Sequence, residues 1–567
     1  MSTSPCEPGP CALRSAAASI ERGAGEALQR PLVKPLVRQQ SFGGSPLVRA
    51  YLAGEPNALS FYAGPPYELA TFRRKLGELN RRFGPKEREL AASALKPASS
   101  SGKERLARFV TEGGAMVTTG QQAGFLTGPL YTIHKAASAV ALAEHLEHKL
   151  GILVLPVFWV ASEDHDWGEV NSTVLLDHRG RLRRVELEST DPRPLPMSDR
   201  AIEGDLDELL PHIAQTVGAT RYNSDYIERI LDLYRTPGAS VAGAFGEAIE
   251  LLFSGTDLML ADATDPAIKS ASLDVLKGAM VDAEEHEGRL ERRTKELEKS
   301  GYGPQVKVLG DGTNVFYRMD SGRHRLYRQG SDFVVRERRE TLAREDLLTK
   351  LAAEPELFSP NVLLRPVVES AAFPTLAYVG GPSEIAYLAQ ASTLFEAYGM
   401  LPPVAVPRFS ALVIEPGVER LLDDLEVTID EIRRPRDELV EQLAQREVPK
   451  PLGGALRLLR ENLAADFERL IEEARELDPT LDGALGSIRN SELAWAGRAE
   501  RKIVRAIKRS ERISLDQLDR LLNSLWPNGR AQERVLNILP YLGRYGRHFL
   551  RELERSIRDH WRLPDGS

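Results

Sequence analysis

At 567 residues, with 42% hydrophobic and 28% charged side chains, the chain is long enough for more than one domain and too apolar to be disordered throughout. Its 74 basic and 82 acidic side chains give a formal charge of −8, which excludes a global attraction to nucleic acid or to an anionic membrane. Cys6 and Cys11, the two cysteines, exclude a disulfide framework and a CxxC site and fit a reducing cytoplasm, and no apolar run is long enough for a membrane span.

In chain order, residues 1–34 form a Pro-, Gly-, Ser- and Ala-rich head that reads as a disordered extension, without the basic start and apolar core of a Sec signal. Helices over 68–82, 85–95 and 103–112 feed a short apolar strand beginning near Met116. That strand breaks into the loop Gly120-Gln121-Gln122-Ala123-Gly124. A helix follows, with Thr127 as its cap and Pro129 at its first position, and continues through 136–150 to Gly151. Residues 152–161 are continuously apolar, the pattern of a strand covered on both faces of a parallel sheet, and they end in Ser162-Glu163-Asp164-His165-Asp166. Strands are expected at 172–176 and 183–187, and helices at 205–217, 224–234 and 241–253. A buried strand is expected at 258–263, followed by one long helix from Pro266 to about Ser300. A β-rich segment spans 313–335, and core strands resume at 362–369, 376–379 and 404–406. A second glycine turn, Gly380-Gly381-Pro382-Ser383-Glu384, again joins a strand to a helix, which runs to about Tyr398. This alternation of strand and helix predicts an α/β fold built on a doubly wound parallel sheet.

From Glu415 the pattern becomes helical. Val418, Leu422, Leu425, Ile429 and Ile432 follow heptad spacing, and after the Pro/Gly turn at 449–454 the residues Leu456, Leu459, Leu463, Phe467, Leu470, Ala474 and Leu477 share one side of a second helix. These two segments predict an antiparallel coiled-coil hairpin. A third helix at 492–512 carries Arg498, Arg501, Lys502, Arg505, Lys508, Arg509 and Arg512 on a face expected to be solvated. Closing helices are expected at 531–542 and 547–562.

Three carboxylates and an imidazole just past a buried strand lie where open α/β sheets place their ligands. His165 between Asp164 and Asp166 is expected to have a raised pKa and to take a proton from an amine or hydroxyl. His134 is expected to donate to a phosphate or a developing oxyanion. Thr118, Thr119, Gln121 and Gln122 suit polar recognition, and the amides near Gly120 and Gly380 suit an anion. The plain alternatives are a tight turn for each glycine loop and a satisfied core or surface imidazole for each histidine. A Walker loop is excluded because Lys135 lies inside the helix, a dinucleotide fingerprint because the glycines at 120, 124 and 128 are four apart, and a serine elbow because no GxSxG occurs. No remote His or Cys completes a metal set with Asp164, His165 and Asp166, so no metal ligands are assigned and the metal requirement stays open.

The stretch Thr118-Thr119-Gly120-Gln121-Gln122 through Tyr131-Thr132-Ile133-His134-Lys135, then Trp159-Val160-Ala161-Ser162-Glu163-Asp164-His165-Asp166 with Glu169-Val170-Asn171, closely resembles the cysteine-adding enzyme family of bacillithiol biosynthesis. Matching segments continue at residues 378–387 and 527–534, and Ser172 stands where the family commonly has a histidine. The resemblance implies a Rossmann-like core and a coiled coil that can mediate a homodimer. It also implies a cytoplasmic carbon–nitrogen ligase that joins L-cysteine to the amine of glucosaminyl malate, the last step toward bacillithiol. The domain expectation is a core at 35–414 with insertions at about 172–255 and 301–360, a coiled coil at 415–525, and C-terminal helices at 526–567 packing back on the core. On this reading His165, Asp164, Asp166 and His134 are catalytic. Thr119, Gln121, Gln122, Tyr131, Trp159, Glu163, Asn171, Glu384 and Tyr387 bind substrate, and Gly120, Gly128, Gly380, Gly381 and Ser383 hold an ATP or ADP cosubstrate. Residues 127–134 are also similar to the HIGH signature of class I aminoacyl-tRNA synthetases, with Tyr131 in place of its first histidine and Ile133 in place of its glycine. No partner among nucleic acids or membranes is expected. The alternative from another class is a non-catalytic nucleotide-binding or scaffold protein acting through the coiled coil.

Overall fold

A computed structural model describes residues 34–204, 206–218, 222–446, 448–510 and 512–561, so the expected extension and its two cysteines lie outside the described residues. The core is a six-stranded sheet of β1 (Leu95–Pro97), β2 (Ala115–Gln121), β3 (Val154–Val160), β4 (Met259–Asp262), β5 (Thr375–Gly380) and β6 (Val404–Pro407). Its order is β6-β5-β2-β3-β4-β1, parallel except for the edge strand β1. The continuous apolar run of β3 follows from burial on both sides. Val154, Phe158 and Val160 enter one hydrophobic layer, while Leu155, Val157 and Trp159 enter the other. The first layer is closed by α1 (Tyr131–Leu150) and the second by α2 (Pro266–Val281), α3 (Arg365–Ala372) and α4 (Pro382–Ala397). The fold is therefore Rossmann-like and doubly wound, as its alternation predicts.

From β2 the chain builds outward through β3 and β4 on one side, and later through β5 and β6 on the other. The carboxyl ends of β2 and β5 thus flank the topological switch point, the crevice where open sheets take ligands. Both glycine turns sit there. An antiparallel sheet of five strands, which includes Gly312–Met319, Gly322–Gln329 and Phe358–Pro360, is inserted between β4 and β5 and closes over that crevice.

Four sequence expectations need correction. Residues 362–369 are not a core strand: α3 starts at Arg365, because the Asn361 side chain accepts from the amides of Leu363 and Leu364 and Pro366 favours a helix start. The single helix from Pro266 breaks at Asp282 into α2 and a second helix, Ala283–Lys299. Thr127 does not cap α1; it sits at φ 75 with its hydroxyl buried and unpartnered among the described residues, and Leu130 is the N-cap. The coiled-coil hairpin is Lys450–Leu477 against Leu481–Ser510, turned at Asp478, whose carboxylate accepts from the Thr480 amide and hydroxyl. The heptad-spaced residues 418–432 do not pair with 450–477, since their helix stops at Asp424 and Glu426 turns left-handed at φ 48. Val418, Leu425 and Ile432 instead pack against Leu518, Leu521 and Leu525. Among the described residues no helix is long and apolar enough to cross a membrane.

Candidate active site

A cavity of about 660 Å³ opens at the switch point between β2 and β5, under the inserted sheet. Of the residues expected to act, Gly120, Gln121, Gln122, Tyr131, Trp159, Glu163, Asp164, His165, Gly381, Ser383, Glu384 and Tyr387 line it. Thr119, Gly128, His134, Asp166, Asn171 and Gly380 do not. Thr119 is buried, donating to Val379 O at 2.7 Å between β2 and β5. Asn171 donates to Glu186, and Gly128 O accepts from Asn537. Asp166 is exposed beside the cavity mouth, and Gly380 O accepts from the Arg408 amide. His134 is fully buried behind the wall, where its Nδ1 meets Glu533 Oε2 at 3.0 Å; burial holds its pKa below the ordinary value against that carboxylate.

The helix geometry explains which α1 residues reach the cavity. Tyr131 and Lys135 lie four apart and share a face, whereas His134 is turned about 100° away from Lys135. Lys135 Nζ donates to Gly120 O at 2.7 Å and Gln121 Oε1 at 2.8 Å, and pairs with Glu384 Oε2 at 2.5 Å. Its pKa is drawn down by burial in spite of Glu384. Burial opposes ionisation of Glu384 too, but Lys135, Tyr378 and the Gly381 amide together hold this carboxyl below its usual range.

The second glycine turn is therefore already filled. The Gly381 amide donates to Glu384 Oε2 at 2.8 Å, so a carboxylate stands at the start of α4 where a phosphate was expected. At the first turn Lys135 meets the Gly120 carbonyl, which presents an acceptor and not a donor. Gly120 and Gly381 do not make the phosphate cradle anticipated for ATP, and Gly128 and Gly380 lie outside the cavity.

Past β3, Asp164 Oδ1 accepts from the amides of His165 and Asp166, at 2.7 and 3.3 Å. Gln122 Nε2 donates to its Oδ2 at 2.6 Å. Glu163 pairs with Lys269 of α2. His165 Nδ1 lies 2.9 Å from Arg323 Nη1. A guanidinium has only donors, so Nδ1 must accept and the ring is neutral with its proton on Nε2. The pKa expectation is reversed: burial first, then Arg323, keep the imidazole below its ordinary value although Asp164 and Asp166 pull upward. In this arrangement His165 Nδ1 is occupied by Arg323, and the remaining ring nitrogen, Nε2, carries a proton that it can donate.

Sequence reading missed Arg323, Arg325 and Phe316 of the inserted sheet, and Arg365, Arg408 and Arg534 of the opposite wall. Arg365 donates to Glu369 Oε2 and to the hydroxyls of Tyr378 and Tyr387. Arg408 is held by both oxygens of Glu533, at 2.9 and 2.7 Å. The signal available was the period-2 placement of Arg323 and Arg325 on one strand face, which a β-rich segment makes predictable.

Residues 33–409 match the family described as Bacillithiol biosynthesis BshC, N-terminal Rossmann-like domain, and residues 411–560 match its C-terminal coiled-coil domain. Among relatives, a protein of Koribacter versatilis is 34% identical over 508 residues, 88% of this chain and 92% of its own length. One of Symbiobacterium thermophilum is 33% identical over 546 residues, 92% of each chain, and one of Bacillus cereus is 29% identical over 437 residues, 77% of this chain and 81% of its own. All three bear the name "Putative cysteine ligase BshC". With matches that run from residue 33 to residue 560, the chain belongs to the BshC family of bacillithiol biosynthesis.

Proposed function

We propose that this cavity condenses the carboxyl of L-cysteine with the amine of glucosaminyl malate in the last step of bacillithiol biosynthesis, in the cytoplasm. The observation that carries the reading is the meeting, at the switch point, of Asp164 set by Gln122 with His165 set by Arg323. Amide formation needs three things at one carbon: an uncharged amine, a stabilised oxyanion and a departing group. With ATP as the activating cosubstrate, the amine nitrogen attacks the acyl carbon of a cysteinyl phosphate or adenylate, the new carbon–nitrogen bond forms, and phosphate or AMP departs with the electron pair of the broken carbon–oxygen bond. Asp164 takes the proton that the attacking nitrogen must lose, since Gln122 and two backbone amides fix the carboxylate and leave lone pairs toward the cavity. His165 donates its Nε2 proton to the developing oxyanion, the role its tautomer allows. Gln121 and Tyr131, joined at 3.1 Å, offer hydroxyl and amide groups to the sugar. No nucleotide is placed on Gly120 or Gly381, whose turns are occupied by Lys135 and Glu384. The exposed Leu459, Leu470 and Leu477 on the hairpin suit a homodimer through the coiled coil.

The test is a thiol profile of cells lacking this chain, complemented with the wild type or with Asp164→Asn. Accumulated glucosaminyl malate that the wild type clears, with at least a hundredfold slower clearance by the variant, is the expected result. Normal bacillithiol in cells without the chain would overturn the function, and full complementation by Asp164→Asn would overturn the role of Asp164.

A further inference from the structure

The inserted sheet does more than cover the cavity. Its strands Gly312–Met319 and Gly322–Gln329 are antiparallel, with Phe316 directly opposite Arg325 and Arg323 two residues along. All three therefore project from one face of that sheet. The guanidinium carbons lie 3.9 Å (Arg323) and 4.6 Å (Arg325) from the Phe316 ring centroid, and all three residues line the cavity.

Arg323 is buried, yet every hydrogen bond it makes is to a neutral group: Ser359 Oγ at 2.7 Å, Pro360 O at 3.0 Å and His165 Nδ1. The nearest carboxylates act on it only through space, and both are engaged elsewhere, Glu163 with Lys269 and Asp164 with Gln122. Arg325 is half-buried beside it, stacked on the same ring, and among the described residues no hydrogen-bond acceptor meets its guanidinium. Two guanidinium groups held on one aromatic ring in a partly dry wall, without a carboxylate in contact, leave positive charge that a ligand anion would balance. Their planar forks match carboxylates, and their number matches two carboxylates on one molecule.

We propose that the Phe316, Arg323 and Arg325 face of the inserted sheet is an anion subsite, and that it takes the dicarboxylic acid arm of the amino-sugar substrate. The assignment of the anion to that arm rests on the ligase reading above; the anion subsite itself does not. A phosphate offers similar chemistry from a different source, so the test separates the two.

Malate, inorganic phosphate and ADP are titrated calorimetrically into the purified full-length chain, its Arg325→Met form and its Arg325→Lys form, and the KM for glucosaminyl malate and for cysteine is measured for each. The expected result is a malate dissociation constant about tenfold higher or more in Arg325→Met, partly recovered in Arg325→Lys, with phosphate and ADP unchanged. KM for glucosaminyl malate rises by a similar factor, while kcat and KM for cysteine stay near the wild type. Malate binding unaltered in Arg325→Met, or phosphate binding lost with malate binding intact, overturns the proposal. If Arg325→Met does not fold, the wild type decides: it should bind malate about tenfold more tightly than lactate, and equal binding overturns the second carboxylate contact. A wild type that forms no cysteine amide while its malate binding still depends on Arg325 refutes the ligase reading and leaves the anion subsite standing.

Discussion

Replacing Glu533 by alanine should be among the most damaging single changes in this chain, although residue 533 lies 125 positions from Arg408 and 399 from His134, which it fastens together. Its carboxylate accepts from Arg408 Nη1 and Nη2 (2.9 and 2.7 Å), Ser410 Oγ (2.8 Å), the Ala411 amide (3.3 Å) and His134 Nδ1 (3.0 Å). The side chains of Glu533, Arg408 and His134 are 4, 2 and 0% exposed, so water replaces none of these contacts cheaply. Deleting the carboxylate leaves the Arg408 charge buried without its counterion, a loss of about 3–5 kcal/mol. Against a typical margin of about 5–15 kcal/mol, that is roughly a fifth or more of the stability. The measurement is urea unfolding of the wild type and Glu533→Ala, followed by tryptophan fluorescence. The double variant Arg408→Met/Glu533→Leu removes both charges and should recover most of the loss, because the penalty belongs to the unpaired charge and not to the missing bond. A Glu533→Ala chain within 1 kcal/mol of the wild type, or a double variant no better than the single, would refute the reasoning.

The same cluster predicts acid sensitivity in two stages. His134 has a lowered folded pKa, so below about 6.5 the unfolded chain takes up a proton that the folded chain refuses, and stability falls with pH from there; His134→Gln should flatten the profile below about pH 6.5. Burial pushes the Glu533 carboxyl up, but Arg408 and His134 together hold it well below its ordinary range, so its contribution is complete above about 4.3 and is lost as pH falls further. At Gly114, φ is 145 and an added Cβ would lie 2.4 Å from Leu153 O, the carbonyl that bonds the start of β2 to the segment before β3; Gly114→Ala should cost at least about 1–3 kcal/mol by thermal unfolding, and an unchanged midpoint would contradict it.

The sheet was legible because its strands carry a local signature. β3 is apolar at every position, and its length, its β-branched and aromatic residues and the bounding Gly151 favour a strand covered on both faces. The hairpin was misplaced because heptad spacing reports which residues want to be buried and not what they will be buried against. Val418, Leu425 and Ile432 do bury, but Glu426 turns the chain and Leu518 and Leu521 arrive from a hundred residues later. Similarly, residues 366–369 are buried in a helix, and burial alone does not distinguish it from a strand.

The site divides along the same line. The ends of β2, β3 and β5 could be found in the sequence because a glycine or a run of acids interrupts an apolar strand, and the switch point brings those ends together. The charge state of the groups there could not, because it is decided by residues remote in sequence. Asp164 and Asp166 flank His165, which from sequence alone argues for a raised pKa and a base. The structure brings Arg323 from 158 positions away onto Nδ1, and one donor at 2.9 Å fixes the tautomer that two flanking carboxylates leave undecided. His165 then has a proton to give at Nε2 and no lone pair to take one there, which is why the base proposed above is the carboxylate of Asp164 and not the imidazole.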